Sequence, residues 1–289
     1  MRFVSVAAAA AVAVAMALLG QPALAKDPIG ARAMAMAPAS WTGFYFGGDL
    51  GVALGSQTYS FTDLGGAAWN TCGPCGNYYD TVSLSGGQKS GLLGGAHIGY
   101  DWQFAPRWLL GAEGDFTWTG LDRSVSAALS ENPSYPVVNA NGLAFETKVK
   151  WLASLRGRVG WLANPASLIY ATGGIAWADV EENADAVCPT GVGLCHFTTD
   201  LTGAPLSISK TRTGFVLGGG AEWEFAAHWR GRAEYLYYGF NGTDGGTSPF
   251  LATGGGPVAC TAVPGNCNAQ YTFGNLYIHT FRLGFSYTY

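Results

Sequence analysis

The chain is short of charge. Asp, Glu, Lys and Arg make up 12% of its 289 residues, about half the usual share. The balance is slightly acidic, −4 with a pI near 5.5, and lacks the basic face that nucleic acid requires. It is also short of long apolar runs. After residue 25 no stretch stays apolar for the ~18 residues of a transmembrane helix, which excludes a helical membrane protein. The long apolar run lies at the start: Arg2, then Val4 to Leu19, then Ala23-Leu24-Ala25. A positive residue, an apolar segment and a small-residue A-x-A site read as a cleaved signal peptide over 1–25. Residues 26–40 have no strong period and are expected to be a flexible leader. The domain proper is 41–289.

Glycine is plentiful instead, 43 residues, and aromatics reach 13%. That mixture suits short strands, tight turns and close backbone approach. The last stretch shows the pattern best. Phe281, Leu283, Phe285, Tyr287 and Tyr289 alternate with Thr280, Arg282, Gly284, Ser286 and Thr288. A period of two means a β-strand with one apolar and one polar face. Similar alternation occurs at 43–54, 91–104, 108–118, 148–161, 169–177, 215–225 and 229–240, which with 279–289 predicts eight strands.

Short and long connections alternate. Those at 105–107, 163–166 and 226–228 are tight, and those around 55–90, 119–147, 179–212 and 241–276 are long and polar. This predicts an all-β, eight-stranded antiparallel up-and-down transmembrane β-barrel, with short periplasmic turns and four long extracellular loops. The last strand must then pair with both the seventh and the first.

Residue size decides which face points outward. An eight-stranded interior is just wide enough for side chains, and the Phe and Trp of eight apolar faces would overfill it. The apolar face is therefore expected to meet lipid, with Trp and Tyr at the strand ends. The polar face turns inward, where isolated charges are costly and must pair. The expected lumen network is Glu113, Asp115, Arg156, Arg158, Glu222, Glu224, Arg230, Arg232, Glu234 and Arg282, joined by Asp49. Setting Phe225 opposite Trp229 makes Glu224 face Arg230 and Glu222 face Arg232. The turn at 105–107 places His97 near Asp115. Lys148 and Lys150 fall on the same inward face as Ser154, Arg156 and Arg158, and Val149 on the outward face with Trp151.

With these segments in place, the chain resembles the small outer-membrane β-barrel proteins of alphaproteobacteria (porin family, opacity/OmpA-like). The resemblance rests on Trp41-Thr42-Gly43-Phe44-Tyr45-Phe46-Gly47-Gly48, on Gly111-Ala112-Glu113-Gly114-Asp115, and on the run from Trp151 to Gly160. Tyr170-Ala171-Thr172-Gly173-Gly174, Glu234-Tyr235-Leu236-Tyr237 and His279-Thr280-Phe281-Arg282-Leu283-Gly284 complete it. It implies a Gram-negative outer-membrane location and contact with outer-membrane lipid. It also implies insertion by the barrel-assembly machinery through the C-terminal strand, here Phe285, Tyr287 and Tyr289, and a surface or envelope-structural role. Porin activity is implied only through the family name. The chain departs from the pattern in ending on Tyr289, where members commonly end in Phe, and in having six cysteines.

Those cysteines fall in local pairs, Cys72 with Cys75, Cys188 with Cys195 and Cys260 with Cys267. They suit an oxidising compartment and loop disulfides. Cys72-Gly-Pro-Cys75 copies a redox motif but lies in a Gly- and Asn-rich loop, without the strand and helix start that lower a thiol pKa. Zinc at Cys72, Cys75 and His196 has no spacing rule behind it. His97 with Asp115 could orient a base, but no serine is marked out. The expectation is therefore no enzyme, no cofactor and no metal. The protein is read as a barrel with a side-chain-filled lumen and an envelope-structural or surface-interaction role, the partner of its loops unidentified. The alternative is a narrow porin for ions or small solutes.

Overall fold

The computed structural model describes residues 41–63, 81–85, 89–128, 142–187, 201–249, 251–252 and 268–289. The signal, the leader and all six cysteines lie outside the described residues. The strands are β1 (Gly43–Asp63), β2 (Thr81–Ser85), β3 (Lys89–Ala105), β4 (Trp108–Ala128), β5 (Gly142–Asn164) and β6 (Ser167–Val187). They continue with β7 (Leu201–Gly203), β8 (Leu206–Ala226), β9 (Trp229–Phe240), β10 (Thr243–Pro249), β11 (Leu251–Ala252) and β12 (Asn268–Thr288).

Eight of these strands close a ring. In order they are β1, β3, β4, β5, β6, β8, β9 and β12, each antiparallel to the next, and β12 pairs back onto β1. Closure leaves no strand edge unpaired at this height. Two-residue turns at 106–107, 165–166 and 227–228 join strands at one end, and the long connections leave from the other. At the last of these turns His228 takes φ 65. Its ring donates to Thr288 O at 2.9 Å and its carbonyl accepts from Thr288 N at 2.8 Å, which fastens the end of β12.

The faces sort as the alternation predicts. Leu50, Leu92 and Leu283 are 73%, 77% and 67% exposed, whereas Arg232 and Arg282 are 1% and 2% exposed. The outward apolar belt is bounded by Trp108, Trp161, Trp223 and Trp229 toward the short turns and by Trp118, Trp151 and Trp177 toward the loops. Two local details differ from the sequence reading. A β-bulge between Val149 and Trp151 turns Val149 inward, where it is buried, and leaves Lys148 and Lys150 on the outside, paired to Glu146 and Glu181. An extra residue reverses the alternation without changing composition, so a fixed period of two misassigns everything beyond it. A second bulge skips Phe225, so Ala226 and not Phe225 faces Trp229, while Glu224 faces Arg230 and Glu222 faces Arg232.

The strands also run further toward the loops than expected. β1 continues to Asp63 and β12 begins at Asn268, and they remain paired throughout. In this outer part the pattern inverts. Thr58, Ser60, Thr62, Gln270 and Thr272 face out, and Tyr59, Phe61, Tyr271 and Phe273 are buried. A polar outside over an aromatic inside is the arrangement of a sheet in water. The ring divides at this height. β2 follows the line of β3 along β1, and β10 follows β9 along β12. Among the described residues β2 has no pairing with β4, and β10 has none with β8. Two four-stranded sheets result, β2-β1-β12-β10 and β4-β5-β6-β8, packed over Tyr59, Phe61, Leu143, Phe145, Tyr271 and Phe273. An arginine bridges each gap. Arg123 on β4 donates to Gly55 O on β1 at 2.9 Å. Arg212 on β8 donates to Asn241 O at 3.2 Å and Gly274 O at 3.4 Å.

Candidate functional site

The lumen is built in layers. At the short-turn end Trp41, Leu109, Leu162, Leu168 and Tyr170 form an apolar cap. Trp41 donates its indole N–H to Pro165 O at 3.0 Å and its backbone N–H to Gln103 Oε1 at 3.2 Å. Its ring lies 3.9 Å from the Arg230 guanidinium, close enough for a cation–π contact.

Behind this cap lies the ion network. Among the described residues it joins six carboxylates (Asp49, Asp101, Glu113, Asp115, Glu222, Glu234) to five guanidiniums (Arg156, Arg158, Arg230, Arg232, Arg282) and His97. Arg232 grips Glu113 with two N–H groups at 3.1 and 3.2 Å and reaches Glu234 at 2.8 Å. Arg156 bonds Glu113, and Glu234 at 2.9 Å. Arg158 bonds Asp101, and Glu222 at 2.6 Å. Arg282 bonds Asp115 at 3.0 Å and the Tyr238 hydroxyl at 2.6 Å. Tyr45 and Tyr170 donate to Glu113 and Glu234, at 2.8 and 2.9 Å. Pairing is what makes buried charge tolerable, and a single unpaired member would be costly.

Nine of the ten expected network residues, with Asp49, enter these contacts. Glu224 does not. It stands opposite Arg230 but only half-buried at the short-turn rim, and none of the ion pairs among the described residues includes it. The pairs also differ from the strand register. Arg232 faces Glu222 in register yet grips Glu113, and Glu222 is held by Arg158. Strand tilt and long side chains carry the contacts across the lumen rather than to the nearest strand. Asp101, Tyr45, Tyr170 and Tyr238 were not expected in the network. All four lie on inward positions of their strands, so the alternation could have placed Asp101 at least.

His97 is opposite Asp115 in register, but its partners are others. Nδ1–H donates to Asp49 Oδ2 at 2.7 Å, and Nε2 shares a hydrogen bond with Ser286 Oγ at 2.8 Å. The order Ser-His-Asp is that of a hydrolase triad, and sequence reasoning missed Ser286. Ser286 is buried, and Gly47 packs against the pair: a Cβ there would come 2.7 Å from His97 Nε2 and 2.0 Å from Phe285 O. The three residues tie β1, β3 and β12 across the seam where the ring closes. Gly284 makes room for this brace, since a Cβ there would lie 2.1 Å from Asp49 Oδ1.

Further toward the loops an apolar layer includes Leu93, Leu121, Leu152, Val216, Leu236 and Ile278. A second polar layer follows, in which Gln57 on β1 donates to Glu182 on β6 at 2.9 Å and Arg212 bonds the same carboxylate. The aromatic core closes the stack, with the Phe145 and Tyr271 rings 5.8 Å apart. Phe285 and Tyr289, expected to signal assembly, project outward from β12, and Tyr289 N donates to Phe44 O at 3.0 Å.

Known proteins agree with this architecture. Residues 7–288 match the family model described as outer membrane protein beta-barrel domain. The chain is 30% identical over 201 residues to a 31 kDa outer-membrane immunogenic protein of Brucella melitensis, covering 68% of this chain and 70% of that protein. It is 28% identical over 205 residues to a 22 kDa outer membrane protein of Rhizobium leguminosarum, covering 71% and 67%. Among solved structures it is similar to Ail, the attachment invasion locus protein of Yersinia pestis, at TM-score 0.33 and 12% identity, covering 86% of this chain and 99% of that one. The chain belongs to the family of outer membrane proteins with a β-barrel domain.

Proposed function

We propose that this protein is a closed outer-membrane barrel, exported with a cleaved signal peptide, that serves the envelope structurally and presents an interaction surface outside the cell. One observation carries the reading: opposite walls touch across the interior at three heights, two within the ring and one in the divided part beyond it. Arg232 on β9 meets Glu113 on β4, Gln57 on β1 meets Glu182 on β6, and Tyr271 on β12 meets Phe145 on β5. In a ring of eight, each of these strand pairs is four positions apart. A lumen crossed in this way supports a strut better than a conduit. The apolar belt meets outer-membrane lipid, and the short turns lie in the periplasm. The assembly machinery engages β12 through Phe285, Tyr287 and Tyr289. The paired sheets beyond the belt act as a stiff stalk that lifts the long loops clear of the membrane.

The reading is tested in cells by two observations together. The protein should fractionate with the outer membrane and migrate differently on a gel before and after boiling. Protease added to intact cells should cut within the long loops and spare the belt. A protein that shows no heat-dependent shift and resists external protease contradicts the proposal.

A further inference from the structure

The stalk has two unlike outer faces. Along β1 and β12 the described outward side chains are uncharged, among them Thr58, Ser60, Thr62, Gln270 and Thr272. Along β4, β5 and β6 the outward positions hold five carboxylates, Asp122, Glu146, Asp179, Glu181 and Asp185, against two ammonium groups, Lys148 and Lys150. A groove of about 480 Å³ crosses this acidic face. Its lining includes Ser124, Ala144, Glu146, Asn183, Asp185 and Ser207, and all of it comes from β4, β5, β6, β8 and Pro205. Among the described residues the facing sheet contributes nothing, and the groove opens outward over Val125, Phe145, Ala184 and Leu206, which belong to the core between the sheets or pack against it.

Ser and Ala side chains line the groove together with Val125, Phe145 and Leu206, and its rim is held carboxylate. Asn183 Nδ2 donates to Glu146 Oε2 at 3.1 Å, and Ala204 N donates to Asp185 Oδ1 at 3.1 Å. Glu146 faces Asn183 and Ala144 faces Asp185 in register, so the two carboxylates are diagonal neighbours on one face. Such neighbours are about 7–8 Å apart. Alternate residues of an extended chain are roughly 6.6 Å apart. The spacings match. The Lys148–Glu146 pair, 3.0 Å long and open to solvent over about a third of each side chain, is of the kind that contributes little and yields to a competing cation.

We propose that this groove receives an extended polypeptide segment with Lys or Arg at alternate positions. The inference rests on the reading that this end of the barrel lies outside the cell, and it names the class of partner. The two carboxylates take the cations, and the Ser and Ala lining admits the small side chains between them. Complementary charge supplies the selectivity and speeds encounter.

The test uses the mature protein refolded in detergent micelles and a fluorescein-labelled (Lys-Ala)6 peptide, read by fluorescence anisotropy at low salt. Saturable binding is expected, weakened at least about tenfold in the double variant E146Q/D185N and unchanged in T58A/S60A on the uncharged face. All four positions are on the outer surface, and the heat-dependent gel shift verifies that each variant is folded. Binding that is absent, or that survives E146Q/D185N undiminished, overturns the proposal. So does displacement of the peptide by calcium acting through the same two carboxylates, which would make the groove a cation site. A failed peptide test leaves the outer-membrane reading standing, because that reading depends on fractionation and external proteolysis.

Discussion

Arg232 on β9 grips both carboxylate oxygens of Glu113 on β4, at 3.1 and 3.2 Å, from the opposite side of the ring. The contact fastens distant walls together, and it occupies the axis along which a solute would pass. Replacing Arg232 with Met leaves Glu113 and Glu234 short of a cation in a buried site. The expected loss is about 3–5 kcal/mol, measured by urea unfolding in lipid vesicles. The double replacement R232M/E113L removes both members and should cost less than the sum of the single changes.

Leu283 and Thr272 lie on the same strand and both point outward, one within the belt and one beyond it. Leu283→Arg should destabilise the folded barrel by about 2–4 kcal/mol in lipid. Thr272→Arg meets water and should stay within about ±0.5 kcal/mol. Equal effects at the two positions would show that the belt ends elsewhere.

Phe145 is buried in the stalk, stacked on Tyr59 at 4.9 Å and edge-on to Phe273 at 5.7 Å. Phe145→Ala should cost the stalk about 3–5 kcal/mol. Hydrogen exchange should rise in 57–63, 142–147 and 268–273 while the belt strands stay protected. A uniform rise along every strand would mean that stalk and belt open as one unit.

Asp185 gives the peptide groove a signature in pH. Burial raises its carboxyl above the ordinary aspartate range, which lies near about 3.9. Peptide binding needs the ionised form, so affinity should fall as pH decreases, and the fall should begin above that ordinary value. Asp185→Asn should remove this early part of the decline. An anisotropy titration in which D185N keeps the wild-type profile assigns the effect to another carboxylate.

Much of this was legible in the sequence, and the limits have physical causes. Eight strands, three tight turns and the outward face followed from alternation, because lipid outside and packed charge inside impose opposite preferences on successive residues. The network members followed because charge recurs on one face only. Their partners did not. Arg232 meets Glu113 and His97 meets Asp49 across distances in sequence that no local pattern encodes. The stalk was read as loop because its apolar side chains, Tyr59 and Phe145 among them, turn inward where those of the belt turn outward. The bulge at Val149 shifted a strand by one residue and exchanged the faces of Lys148 and Lys150.

The central claim is that the lumen is closed, and planar-bilayer recording of the purified mature protein tests it most directly. The contacts of Arg232 with Glu113, Gln57 with Glu182 and Phe145 with Tyr271 predict no steady unitary openings at any holding potential. Reproducible step openings from protein whose heat-dependent gel shift is intact would contradict the account and establish a narrow porin in its place.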